Sequence, residues 1–202
     1  MRSGGAERPT DRGRLFVALD LDDDARSALT SWRSGVVSAL PGVRPVAEDA
    51  LHVTLCFLGT CAMTEVDAIA AACAVRSGAK LTGLALGPAL WLPRRRPRVL
   101  AVAIEDAAGT LARVQSALAH ALVAGGWYGP ESRPYLAHVT VARVAKDRHL
   151  RPSQPPAPPP VILAESASVT LYRSHLSPQG SRYQALRILR VDGGTDDQGR
   201  WS

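Results

Sequence analysis

The sequence predicts an α+β protein of two pseudo-symmetric lobes, with mostly antiparallel sheets facing a central cleft and helices on the outside. Three observations carry that expectation. Strand-like and helix-like segments are intermixed, yet helices do not separate successive strands regularly enough for a doubly wound parallel sheet. The order strand, helix, then a strand bearing a His-x-Thr triplet occurs twice. The two triplets also share apolar flanks, Leu51-His52-Val53-Thr54-Leu55 and Ala137-His138-Val139-Thr140-Val141.

Element by element, Arg14 to Asp20 is apolar enough for a strand, and Asp22 to Asp24 supply an N-cap and first-turn carboxylates for a helix. Ala25, Leu29, Trp32, Val36 and Leu40 form its apolar stripe, and Pro41-Gly42 ends it. A short extended piece, Val43 to Val46, precedes the strand carrying His52, which is expected to run from Leu51 to Leu58-Gly59. Thr64 is placed to cap a second helix with the stripe Val66, Ile69, Ala70 and Cys73, closed by Ser77-Gly78. Leu81 to Leu86 is strand-like, and Leu90 to Arg98 breaks the pattern with two prolines. Val99 to Ile104 resumes as a strand, and a third helix spans Ala108 to Ala124 before Gly125-Gly126. Tyr135 to Val144 is the extended segment bearing His138. The proline-rich stretch from Pro152 to Pro160 reads as an exposed loop, and Val169 to Tyr172 and Tyr183 to Val191 as closing strands.

At 202 residues and 46% hydrophobic content the chain fits one domain, expected over residues 14–191, with disordered tails at 1–13 and 192–202. The net charge of +6 comes from Arg far more than Lys, and guanidinium groups favour bidentate contact with phosphate. An anionic ligand fits this balance. Cys56, Cys61 and Cys73 are odd in number without C-x-x-C spacing, and Met1 to Gly13 lacks the apolar run of a secretory signal. A cytoplasmic monomer is expected. No window approaches the twenty or so apolar residues that span a bilayer, so no membrane partner is expected.

Along a strand, residues i and i+2 share a face, so each triplet presents an imidazole beside a hydroxyl while Leu and Val neighbours turn the other way. Imidazole titrates near pH 6.5, so one histidine of a facing pair can act as base while its mate, raised by an anion, acts as acid. That suits in-line displacement at phosphorus. Thr54 and Thr140 are placed to donate hydrogen bonds to the non-bridging oxygens as charge builds there. The scheme needs no metal and no cofactor. A 2′,3′-cyclic phosphate asks for little more, because its ring holds the ester oriented.

The paired motifs His52-Val53-Thr54-Leu55 and His138-Val139-Thr140-Val141 resemble the signature of the 2H phosphoesterase superfamily. Leu51 to Gly59 and Arg133 to Arg143 resemble, more narrowly, the RNA 2′,3′-cyclic phosphodiesterase family, related to the 2′-5′ RNA ligase proteins. So does Leu171 to Tyr183, where Ser174, Pro178, Gly180 and Tyr183 fall on that family's late strand pair. The resemblance spans Arg14 to Val191. It implies metal-independent hydrolysis of an RNA end or small nucleotide bearing a 2′,3′-cyclic phosphate to a 2′-phosphomonoester. It also implies His52 as proton donor and His138 as proton acceptor, an order that the residues alone leave open. Two departures stand out: Ala137 precedes the second histidine where the family often has Pro, and Arg44-Pro45-Val46 stands where an aromatic often precedes the first motif. The second departure bears on base stacking rather than on phosphate chemistry.

Other readings accompany these. A binding module for nucleotide or RNA ends with little turnover is the alternative of a different class, and 2′-5′ ligation is the reverse-type reaction. Neither motif carries a metal-ligand spacing. His120 reads as a helix-surface or packing residue, His149 as part of a basic loop and His175 as non-catalytic. Strict alternation places Cys56 on the face of His52 and Thr54, where it reads as a small buried thiol rather than a ligand or nucleophile. Arg94, Arg95, Arg96 and Arg98 form the densest basic cluster, either solvated loop or guide for RNA. Arg143 alternates away from His138 and reaches phosphate only if the strand ends or bulges, and Tyr135 either stacks on a base or packs.

Overall fold

The computed structural model describes residues 11–74, 81, 83–129, 133–148, 150, 154–160, 163–164, 168–177 and 180–190. Among these residues, nine antiparallel strands form one sheet, accompanied by three α-helices. The strands are β1 (Arg12–Asp20), β2 (Val43–Pro45), β3 (His52–Ala62), β4 (Leu84–Leu92), β5 (Val99–Asp106), β6 (His138–Val144), β7 (Leu163–Ala164), β8 (Ser168–Ser177) and β9 (Gly180–Arg190). The helices are α1 (Asp23–Ser38), α2 (Val66–Cys73) and α3 (Thr110–Ala124).

The α+β class and antiparallel pairing match the expectation, and the two halves share a single sheet. Its order is β7-β4-β5-β6-β3-β1-β8-β9, with β2 added against β6. The halves meet where β6 and β3 pair through Val53 and Val139. Both valines are fully buried, in a core that also gathers Leu15, Leu29, Ile69, Leu100, Leu118 and Leu171.

Local chemistry sets the helix starts. The Asp22 carboxylate accepts from the Ala25 N–H at 2.7 Å, which caps α1 as the acidic run predicts. At α3 the Asp106 carboxylate accepts from the N–H groups of Thr110 and Ala112, and Gly109 takes φ 66°, so this helix begins two residues later than expected. Thr64 does not cap α2. It lies inside a 3-10 turn, Met63–Glu65, where the Glu65 carboxylate accepts from the Ala62 N–H. Ser77-Gly78, expected to close α2, lie outside the described residues, as do His149, Val191, the tail at 192–202 and residues 1–10 of the other tail, whereas Arg12 and Gly13, expected in that tail, pair with Ala62 and Cys61 as the start of β1.

Strand ends depart from the sequence reading for identifiable reasons. Strand β4 absorbs Gly87 and Pro88 in a register shift between Leu86 and Ala89, so it continues through Leu90 to Leu92 and the break begins only at Pro93. Strand β3 passes through Gly59 at φ 73° and keeps pairing with β1 as far as Ala62 opposite Arg12. The mostly polar stretch Arg173 to Ser177, outside the expected strand, belongs to β8 and pairs along β9 to the end of the hairpin. Residues 135–137 are not strand. Residues 154–160 carry no regular structure and are mostly exposed, as expected of that loop.

Candidate active site

Because Val53 and Val139 point into the core, their neighbours His52, Thr54, His138 and Thr140 emerge together on the opposite face, all four half-buried. Continuing the antiparallel register one residue either way sets His52 beside Thr140 and Thr54 beside His138. Each imidazole therefore neighbours the hydroxyl of the other motif as well as its own. Within the first motif, His52 Nε2 and Thr54 Oγ1 are 3.2 Å apart.

Both rings are tethered to the backbone two residues upstream. His138 Nδ1 donates to the Leu136 carbonyl at 2.8 Å, which fixes one ring proton there and leaves Nε2 as the free lone pair when the ring is neutral. His52 hydrogen-bonds the backbone of Ala50. Its surroundings are more apolar: the ring lies 5.0 Å from Phe16 and 5.1 Å, edge-on, from Tyr183, with Tyr172 at 6.2 Å. Burial pulls its pKa from the ordinary 6.5 down to about 4, helped by the positive charges of Arg143 and His138 and opposed by Asp20 and the Ala50 bond. The free protein thus holds His52 neutral near pH 7.

Asp20 is the Cα partner of His52 across β1 and β3. Its carboxylate collects three hydroxyls from β8: Ser168 at 2.8 Å, Thr170 at 2.6 Å and Tyr172 at 2.7 Å. This carboxylate lies beside the imidazole and favours its protonated form. Burial, and then the bond to Asp20, raise the Tyr172 phenol, so it stays a neutral donor.

Bulges then decide which further residues reach this face. Where β6 pairs with β5, Leu100 is opposite Ala142 and Ala101 opposite Thr140, so Val141 is the extra residue. Alternation flips beyond it, and Arg143 returns to the face of His138 and Thr140. Strand β3 does the same: Val17 is opposite Cys56 and Ala18 opposite Thr54, leaving Leu55 as the extra residue. Cys56 is therefore not on the face of His52, as alternation predicted. It is 1% exposed in the core, and Phe57 takes the site face instead. Phe57 is 44% exposed, stacks on Phe16 at 6.3 Å and has the Arg14 guanidinium 5.4 Å from its ring centre.

Tyr135 donates its hydroxyl to the Thr54 carbonyl at 3.2 Å, tying the segment before the second motif to the first motif's strand. His120 is exposed on α3 with Nδ1 at 2.7 Å from the Ser116 carbonyl, and His175 is exposed on β8 against Gln184. Neither joins the site. Among the described residues no three His, Cys, Asp or Glu side chains converge as a metal-binding set.

Sequence reasoning missed Asp20, Phe16 and Phe57. Asp20 and Phe16 sit in an otherwise apolar strand, and the only signal was a carboxylate ending it. Phe57 had one available signal, that the string from His52 to Phe57 parallels that from His138 to Arg143.

The chain is similar to known proteins. Residues 19–101 match the family described as LigT like Phosphoesterase. An Escherichia coli (strain K12) protein named RNA 2′,3′-cyclic phosphodiesterase is 30% identical over 178 residues, covering 86% of this chain and 94% of the relative. The chain belongs to the LigT-like phosphoesterases. A Thermus thermophilus relative of the same name is also 30% identical, over 89% of the chain and 91% of that protein. A Geobacillus stearothermophilus relative of that name is 26% identical, and there the chain spans 61% of the relative's length. Among solved structures of this fold, a Thermus thermophilus protein superposes with a TM-score of 0.72 at 26% identity, covering 89% of this chain and 98% of that one. Escherichia coli LigT in its apo form gives 0.70 at 26% identity, over 89% of this chain and 98% of that one.

Proposed function

We propose that this LigT-like phosphoesterase hydrolyses 2′,3′-cyclic phosphates of RNA ends or nucleotides to 2′-phosphomonoesters by two-histidine acid-base catalysis without a metal. The observation that carries this reading is the register of Val53 against Val139, which sets two imidazoles and two hydroxyls around one point on the sheet face. The names of the relatives support the substrate class.

In this reading His138 Nε2, its other nitrogen engaged by Leu136, takes a proton from the attacking water. The new P–O bond forms as the bond from phosphorus to O3′ breaks, and His52 Nε2 delivers its proton to O3′. Thr54 and Thr140 hydroxyls and the Arg143 guanidinium stabilise charge on the non-bridging oxygens. Exchange with solvent then returns a proton to His52 and removes one from His138. The phosphate anion itself loads His52: its charge favours the imidazolium that burial disfavours in the free protein, and an imidazolium of low proton affinity is a strong donor to a departing alkoxide. Phe57 offers a face for the base.

Both motifs come from one chain, so the site is complete in a monomer. Three cysteines held as buried thiols suit a reducing cytoplasm. The test is incubation with an RNA oligonucleotide ending in 2′,3′-cyclic phosphate in excess EDTA, followed by identification of the terminal phosphate. A 2′-phosphate is expected; unchanged RNA, or turnover abolished by EDTA, contradicts the reading.

A further inference from the structure

Arg44 and Arg143 are cross-strand partners. Strands β2 and β6 pair with Arg44 opposite Arg143, between Val43 opposite Val144 and Pro45 opposite Ala142. Directly opposed residues leave the sheet on the same face, with Cβ atoms about 5 Å apart. Arg44 therefore projects on the face to which the bulge at Val141 turns Arg143. Both side chains are exposed, and neither belongs to a salt bridge among the described residues, where the ion pairs are Arg173 with Asp11 and Arg187 with Asp67.

Like charges directly opposite one another destabilise a strand pair, so this juxtaposition carries a cost that a bound anion would remove. The positive charge of Arg143 reaches His52, which assigns that guanidinium to the phosphate at the histidines. Its other neighbour, on β5, is the apolar Val99. Across the sheet from Arg143 the charge therefore extends toward Arg44 on β2 and not toward β5.

We propose that Arg44 binds a second phosphate, the one on the 5′ oxygen of the nucleoside whose cyclic phosphate lies at the histidines. The inference rests on the proposed cyclic phosphodiesterase reading and narrows its substrate class to ends carrying a 5′-side phosphate. An internucleotide diester and a simple 5′-monophosphate both supply that chemistry, in a geometry where Arg offers a planar fork of donors.

Steady-state hydrolysis of three substrates tests it: adenosine 2′,3′-cyclic phosphate, the same compound with a 5′-phosphate, and an adenylyl dinucleotide ending in the cyclic phosphate. The wild type should show a KM about tenfold lower for the two phosphorylated substrates, the worth of one charge-assisted contact. Arg44→Ala should collapse that ratio to about one, and Arg44→Lys should keep part of it. A wild-type preference for the dinucleotide over the 5′-monophosphate assigns the subsite to a chain linkage; equal KM values assign it to a phosphate as such. A wild-type ratio of one, or a ratio that survives in Arg44→Ala, overturns the inference while hydrolysis of the unphosphorylated compound keeps the cyclic phosphodiesterase reading intact. Hydrolysis of none of the three overturns that reading, and this inference with it.

Discussion

Phe57 and Arg143 occupy matching places in the two motif strands: each follows a bulged residue, Leu55 or Val141, and each is thereby returned to the face of its histidine. One half of the site thus ends in an aromatic ring and the other in a guanidinium. The two motif strands match in the place of the extra residue and differ in the side chain it turns to the site.

That difference separates two variants kinetically. Arg143→Ala removes a charge aimed at oxygens that become more negative in the transition state, so kcat should fall by about 100-fold or more. Phe57→Ala removes a stacking face, so KM should rise by about tenfold with a smaller change in kcat. Steady-state kinetics on a cyclic mononucleotide read both, and matching effects from the two variants would contradict the division of labour.

Replacing Thr54 or Thr140 with Val preserves shape and removes a donor. Each substitution should lower kcat by about 100-fold with little change in melting temperature, because the hydroxyls emerge on the half-buried site face rather than in the core. A loss seen only in KM would mean that the hydroxyls serve ground-state binding.

Asp20→Asn tests the charge beside His52. The amide keeps one accepting oxygen, so it loses part of the bonding with Ser168, Thr170 and Tyr172, and it no longer favours the imidazolium. Activity falls as pH rises through the donor's pKa in the substrate complex, so in the variant that alkaline fall should begin at lower pH, with kcat near pH 7 reduced by about tenfold. An unshifted profile with a uniform loss of rate would assign Asp20 a structural role alone.

Stability follows the same histidine. The folded protein holds His52 at about 4 against an ordinary 6.5, so between these values the unfolded chain binds a proton that the folded state refuses. The contribution is complete above pH 6.5 and declines as pH falls toward 4. Denaturant melts at pH 7.5 and pH 5 should show a larger loss of stability for the wild type than for His52→Gln; equal losses would mean that burial does not depress this group.

How far the sequence disclosed the site depended on regular alternation. His52, Thr54, His138 and Thr140 were legible because period-two spacing holds within each triplet. The faces of Cys56 and Phe57 were not, and that of Arg143 only on condition of a bulge, because one extra residue in each strand reverses every face beyond it, and that extra residue is defined by the partner strand. Asp20 was invisible as a site residue because its partners lie on β8, brought beside β1 only by the folded sheet. Element existence was read well. Ends were misplaced where pairing outlasted composition, at Leu90 to Leu92 and at Arg173 to Ser177.

The central claim is that both histidines move protons in one reaction, and single-turnover hydrolysis of a 2′,3′-cyclic RNA end by His52→Ala and His138→Ala measures it directly. Both variants, folded and still binding the end, should lose activity by about 1,000-fold or more. Either variant retaining a rate within about tenfold of wild type would contradict the two-histidine mechanism.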